Sequence, residues 1–311
     1  VDLKSFYLRR AFRIFPAFFV VLGLYAAFPV LRDAPTMQSF WSFATLTVNF
    51  DFDPRIGRAF TQAWSLCVEE HFYLVLPLLT LLLHRRIGIR RVLLIASAMA
   101  IAGMILRYAI WEGQVGVLVD AGKLRDAFAV YLRDVYYPTY TRLDGLMFGV
   151  ILAAARFFRP ELYKRYAPPR AALPMGVGLV ATAVVLFSIR GPLEGTNLFL
   201  VFQAQLGSVA GFPLVSIGIA LILGAMLDLE HVLKRWPLPG AAVVATLSYS
   251  LYLTHKSAFH VDRLVFGEEN LQGGIGFAVY LITSFTIAVV LWFCVERTFL
   301  LLRDRILSSG R

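Results

Sequence analysis

Long apolar runs alternate with short polar connections along this chain. Eight of the runs approach the roughly 17–25 helical residues needed to cross a hydrocarbon layer of about 30 Å. They are Ile14–Leu31, Trp64–Leu83, Val92–Trp111, Leu143–Phe158, Pro174–Ile189, Phe202–Leu227, Gly240–Phe259 and Ile275–Leu302. None shows the strict alternation of a barrel strand. A backbone surrounded by lipid must bond to itself, so each run is predicted to be a helix. The expected fold class is all-α, a polytopic transmembrane helical bundle. The shorter apolar stretch Phe40–Phe50 suits a re-entrant or interfacial segment. Within Lys123–Tyr137, Leu124, Phe128, Tyr131, Leu132 and Val135 recur at helical spacing among Arg125, Asp126, Arg133 and Asp134. That spacing predicts an amphipathic helix on the outer surface, followed by Tyr136, Tyr137 and Tyr140 as an aromatic belt.

Composition excludes a water-soluble globular protein. Of the 311 residues, 59% are hydrophobic and 16% charged, against about 25% charged in soluble domains. The net charge of +10 would fit a nucleic-acid partner if the basic residues were gathered into one patch, but they sort by loop. With the start cytoplasmic, the inner segments hold Lys4, Arg9, Arg10 and Arg13; Arg85, Arg86, Arg90 and Arg91; Arg156, Arg159, Lys164, Arg165 and Arg170; Lys234 and Arg235; and Arg297, Arg303, Arg305 and Arg311. These are 19 of the 30 Lys and Arg. This positive-inside bias predicts eight crossings with both ends cytoplasmic and needs no nucleic acid. Cys67 and Cys294 lie far apart in apolar runs and read as buried free thiols. No internal repeat or separate soluble domain is visible, so residues 1–311 form a single domain. The first residue is Val1 rather than Met, with no signal-peptide pattern before the first basic run.

Ionisable groups inside apolar spans are costly and mark candidate functional positions. Four segments carry them. In Phe6–Pro16, Arg10 and Arg13 share a helical face, where paired guanidinium groups suit phosphate or pyrophosphate. An anchor of snorkelling arginines would look the same. In Trp64–Leu74, Glu69 and Glu70 point about 100° apart, so Glu70 needs a partner of its own, for which Arg142 is a candidate. In Tyr140–Gly149, Arg142 and Asp144 do not face each other, which implies partners on other helices. Gly145 and Gly149 form a small-residue face for close helix approach. In Ser248–His255, the residues Ser248, Tyr252 and His255 form one polar stripe. The pair Asp51 and Asp53 could hold a divalent metal but reads as a solvated loop. No metal is called for.

Together, Phe6–Pro16 with its Arg-x-x-Arg element, Trp64–Leu74, Arg142–Gly149, Ser248–His255 and Glu296–Phe299 resemble the acyltransferase 3 family of integral membrane O-acyltransferases. They match its order and spacing across nearly the whole chain. Cys67 and His71 stand where Ser and Gln are commoner, and Thr298 where Pro is usual. The resemblance implies a ten-span core of which eight spans are present. The two preceding Val1 would carry a catalytic histidine, so the fragment alone is expected to be inactive. It implies transfer of an acyl group, most often acetyl, from cytoplasmic acyl-CoA to a hydroxyl of a cell-surface or lipid-linked carbohydrate. Arg10 and Arg13 would then meet the CoA phosphates. Glu69, Glu70, Arg142, Asp144 and His255 would serve the reaction nearer the outer face. The alternative is a transporter or flippase for a lipid-linked sugar. It should show pseudo-symmetric halves or paired broken helices, and neither is evident. A catalytically inactive membrane scaffold is a third reading.

Overall fold

A chain with no water to bond must satisfy its backbone internally, and no strand occurs among the residues that the computed structural model describes: 2–50, 52–83, 88–188, 204–236 and 238–309. Asp51, Arg85, Arg86, Arg311 and the ends of two predicted runs, Ile189 and Phe202, lie outside the described residues. The long helices are α1 (Leu3–Ala27), α2 (Ala63–Leu83), α3 (Ile89–Ile110), α4 (Thr139–Phe158), α5 (Pro169–Ser188), α6 (Phe212–Asp228), α7 (Ala241–Phe266) and α8 (Gly273–Leu291). Each overlaps one predicted apolar run, although α1 begins at Leu3 and not Ile14, and α7 continues past Phe259 to Phe266. Three π-turns lengthen them: Trp111–Val115 extends α3, Gly207–Gly211 precedes α6, and Trp292–Glu296 joins α8 to a final helix at Arg297–Ser309. With these extensions, α1, α3, α5, α6 and α8 are long and apolar enough to cross a membrane by length and composition. Leu94, Phe157, Ile275 and Phe277 are largely exposed on their helices, an arrangement that lipid tolerates and water penalises.

The chain divides into two compact units. Unit one comprises Val1–Val48, Arg55–Leu66 and Leu238–Arg311; unit two comprises Asn49–Pro54 and Cys67–Pro237. In unit one, α7 packs along α8, and α1 packs against the final helix and its π-turn. The Tyr249 hydroxyl on α7 donates to the Ile14 carbonyl on α1 at 2.8 Å. An aromatic knot closes one end, with the Phe60 ring 4.7 Å from Tyr25, 5.6 Å from Phe43 and 5.8 Å from Phe18. Phe60 adopts φ 58°, a left-handed conformation costly for a bulky residue. Its N–H donates to Asp33 Oδ1 at 2.9 Å, which helps to hold it there.

In unit two, α6 lies against α5 and α4, and α3 against α4. Between α5 and α6 glycine meets glycine: a Cβ on Gly176 would lie 2.7 Å from the Gly218 carbonyl oxygen, and the reverse holds. The sequence pattern pointed instead to Gly145 and Gly149. A Cβ on Gly145 would just reach Ser216 at 3.4 Å, and one on Gly149 would meet nothing. Small residues permit close approach without compelling it, and a partner helix must also be there. The predicted amphipathic helix is real but packed inward. Leu124–Val130 and the π-turn Tyr131–Tyr136 bury Ala127, Tyr131 and Val135 against Val115, Val119 and Phe212. Phe40–Phe50 holds only a one-turn helix, Phe40–Ala44. Cys67 is buried, but Cys294 is exposed, against expectation. A small apolar thiol on a lipid-facing surface needs no protein cover.

Gly176→Val should force α5 from α6 and cost about 1–3 kcal/mol. Gly178→Val, in open space, should leave the thermal midpoint of the purified protein nearly unchanged. Equal midpoints for the two variants would contradict the packing.

Candidate functional site

Unit one places the basic element at the start of α1, capped by Asp2, whose carboxylate accepts the Lys4 N–H at 3.1 Å. Arg9 and Arg13 are exposed and Arg10 is half-buried. A cavity of about 520 Å³ opens beside Lys4, Ser5, Arg9, Ile306 and Leu307. Arg13 also lies within electrostatic range of Glu296, a carboxylate only 5% exposed that accepts a hydrogen bond from Ser250 Oγ at 2.8 Å. The motif pattern contained Glu296 but no signal of this tie, because Ser250 was passed over for Ser248. The structure corrects the stripe: Ser248 is exposed and bonds the Ala245 carbonyl of its own helix. The face it shares with Tyr252 and His255 is not covered at that level.

Toward the other end of α7, His255 Nδ1 lies 2.9 Å from the Tyr252 carbonyl and 3.2 Å from that of Leu251. Carbonyls only accept, so this nitrogen carries a hydrogen and Nε2 is the ring nitrogen left to face other groups. The Tyr252 hydroxyl donates to the Gln62 carbonyl and lies 2.7 Å from Ser65 Oγ.

In unit two, Asp144 on α4 pairs at 2.9 Å with Arg107 on α3, and the side chains are 3% and 0% exposed. Arg107 also donates to the carbonyls of Thr141 and Val209. Arg142, two residues from Asp144, lies over the rings of Phe212 at 3.9 Å and Tyr136 at 5.1 Å. The two charges therefore do look to different neighbours, as their spacing required. Arg107 went unselected, although one arginine near the end of an apolar run was a readable signal. On α2, Glu70 is buried and Glu69 half-buried, as their angular separation predicts. His71, one position on, accepts or donates across 2.8 Å to Thr139 Oγ1 and stacks on Phe50 at 5.0 Å. With Val75, Leu76, Arg91, Ile95 and Met147 it lines an apolar cavity of about 320 Å³.

The model of the acyltransferase 3 family, an acyltransferase domain, matches residues 1–293, and the chain belongs to that family. It is similar to O-acetyltransferase OatA of Staphylococcus aureus strain NCTC 8325 / PS 47, at 26% identity over 303 residues, covering 91% of this chain and 44% of OatA. OatA of strain COL gives the same figures. The chain thus spans less than half the length of these curated relatives. No solved structure matches it. Family and apolar helices together mark an integral membrane protein of acyltransferase type.

Removing one partner of a buried ion pair strands the other. Arg107→Ala and Asp144→Ala should each destabilise the protein by about 3–5 kcal/mol. The double variant Arg107→Met/Asp144→Leu should lose less than either single change. Thermal unfolding in nanodiscs checks this, and additive losses would contradict it.

Proposed function

We propose that this chain is the transmembrane part of an enzyme that moves an acetyl group from cytoplasmic acetyl-CoA to a hydroxyl of a cell-surface or lipid-linked carbohydrate. The observation that carries this reading is the polarity of unit one. Cations gather at the start of the apolar helix α1, and a hydrogen-bonding cluster gathers around the opposite ends of α1 and α7. Family membership and the O-acetyltransferase names of the relatives support the same reaction.

In this account Arg10 and Arg13 bind the phosphates of CoA at the cytoplasmic face, where guanidinium forks suit phosphate oxygens. Glu296, fixed by Ser250, restrains Arg13. The acceptor hydroxyl attacks the thioester carbonyl, its proton passes to a base, and the C–S bond breaks to release CoA as a thiol. His255, with Nδ1–H committed to a carbonyl, offers Nε2 as a hydrogen-bond acceptor for that hydroxyl. Glu69 and Glu70 supply carboxylates to the polar surroundings of the reaction. Asp144 works through Arg107 by holding α3 to α4. Arg142 sits in an aromatic setting where a desolvated cation can steady a developing oxyanion. No step requires a metal.

In the full-length protein, Arg10→Ala/Arg13→Ala should weaken acetyl-CoA binding at least about tenfold, since charged hydrogen bonds contribute about 1.5–3 kcal/mol each. The thermal midpoint should change little. Titration calorimetry in nanodiscs reads the difference. Unchanged acetyl-CoA affinity would refute the phosphate role.

A further inference from the structure

The apolar cavity of about 320 Å³ between α2, α3 and α4 in unit two has no part in the acyl-transfer reading. Its wall follows three helical stretches, from His71 to Thr80 on α2, from Arg91 to Met99 on α3 and from Thr139 to Val150 on α4. At about 1.5 Å per residue these stretches extend for roughly 12–16 Å. That is about half of a hydrocarbon layer of about 30 Å, the depth of one leaflet. The two ends of the cavity differ. His71 meets Thr139 at the start of α4 across 2.8 Å. Arg107, near the end of α3, donates to the Thr141 carbonyl at that same end of α4. The helices α3 and α4 therefore run antiparallel, and Arg91, near the start of α3, lies at the other end of the cavity from His71.

The polar groups along the wall are committed to the protein. Thr80 Oγ1 donates to the Pro77 carbonyl at 2.8 Å, and His71 and Thr139 bond each other. An apolar cavity stays dry and takes apolar ligands, and one of about 150 Å³ holds a benzene. Twice that volume, drawn out along the helices, suits a chain of roughly a dozen carbons. Met147 closes the α4 side and is buried, whereas Val75 on α2 and Ile95 on α3 are exposed. A hydrocarbon chain can thus enter sideways between α2 and α3. Among the described residues the wall carries a cation, Arg91, and no carboxylate, and the neighbouring Arg90 is exposed. Positive charge at one end of an apolar slot one leaflet deep complements a phospholipid with an anionic headgroup.

We infer that this cavity binds one acyl chain of an anionic membrane phospholipid, whose headgroup meets Arg91 and whose tail lies between α2 and the α3–α4 pair. The tail fills the space beside His71 and braces α2, the helix that carries Glu69 and Glu70, against α4. This inference stands whether or not the chain transfers an acyl group.

The full-length protein, delipidated in detergent, would be titrated with dioleoylphosphatidylglycerol and separately with dioleoylphosphatidylcholine while its thermal midpoint is followed. Phosphatidylglycerol should raise the wild-type midpoint at a lower concentration than phosphatidylcholine does. Arg91→Gln should shift the phosphatidylglycerol response to about fivefold higher concentration, the worth of one basic residue toward an anionic lipid surface. Its phosphatidylcholine response should stay as in the wild type. Val75→Trp places a ring in the slot, and should remove most of the response to both lipids while keeping the lipid-free midpoint at least as high as the wild type's. Ile95→Trp, from the facing helix, should do the same and controls for a folding defect at one position. Equal wild-type responses to the two lipids would overturn the inference, as would an Arg91→Gln response identical to the wild type's. An undiminished phosphatidylglycerol response in both tryptophan variants would also overturn it and confine the lipid to the outer surface of the helices.

Discussion

The ion pair between Arg107 and Asp144 is the interaction on which unit two depends. A guanidinium with no exposed surface inside an apolar helix is costly unless a counter-charge and further acceptors meet it. Asp144 supplies charge, and the Thr141 and Val209 carbonyls accept from the two terminal nitrogens of Arg107, while its Nε has no hydrogen-bond partner among the described residues. Val209 lies in a π-turn, where a regular ladder of helical bonds is interrupted and a carbonyl can turn to a side chain. One arginine thus couples α3, the start of α4 and the turn that leads into α6. The aromatic surface of Phe212, just past that turn, then receives Arg142.

Unit one obeys the same constraint with other residues. Glu296 also sits in a π-turn, 5% exposed, and takes its hydrogen bond from Ser250 on the facing helix. Lys256 is matched by Asp33 and Thr61. Glu296 and Lys256 each take a partner from a different stretch of chain, so these polar groups fix helix register where apolar packing alone would allow sliding. That rigidity is what a transfer site requires, because small errors in the placement of reacting groups cost rate steeply.

Much of this was legible in the sequence because lipid simplifies the rules. Length and apolarity located the eight long helices among the described residues, five of which are long and apolar enough to cross a membrane, and the cost of intramembrane charge pointed to Asp144 and Glu70, which are buried. Pairing was less legible. Helical spacing says which residues share a face but not which face has a neighbour. Ser248 was therefore chosen where Ser250 carries the bond, and Gly145 and Gly149 where Gly176 and Gly218 make the close contact. Arg107 escaped notice because a single arginine near a span end resembles a snorkelling anchor; only its burial distinguishes the two. Cys294 reversed expectation because burial in lipid and burial in protein look alike in a hydropathy pattern.

The central claim is that a donor bound on one membrane face acylates a hydroxyl held toward the other. Sealed inside-out vesicles bearing the full-length protein, loaded with carbohydrate acceptor and given radiolabelled acetyl-CoA outside, test it most directly. The account predicts label on the luminal carbohydrate with free CoA thiol appearing outside. Label that stays on CoA, or that reaches the lumen without joining carbohydrate, would contradict it.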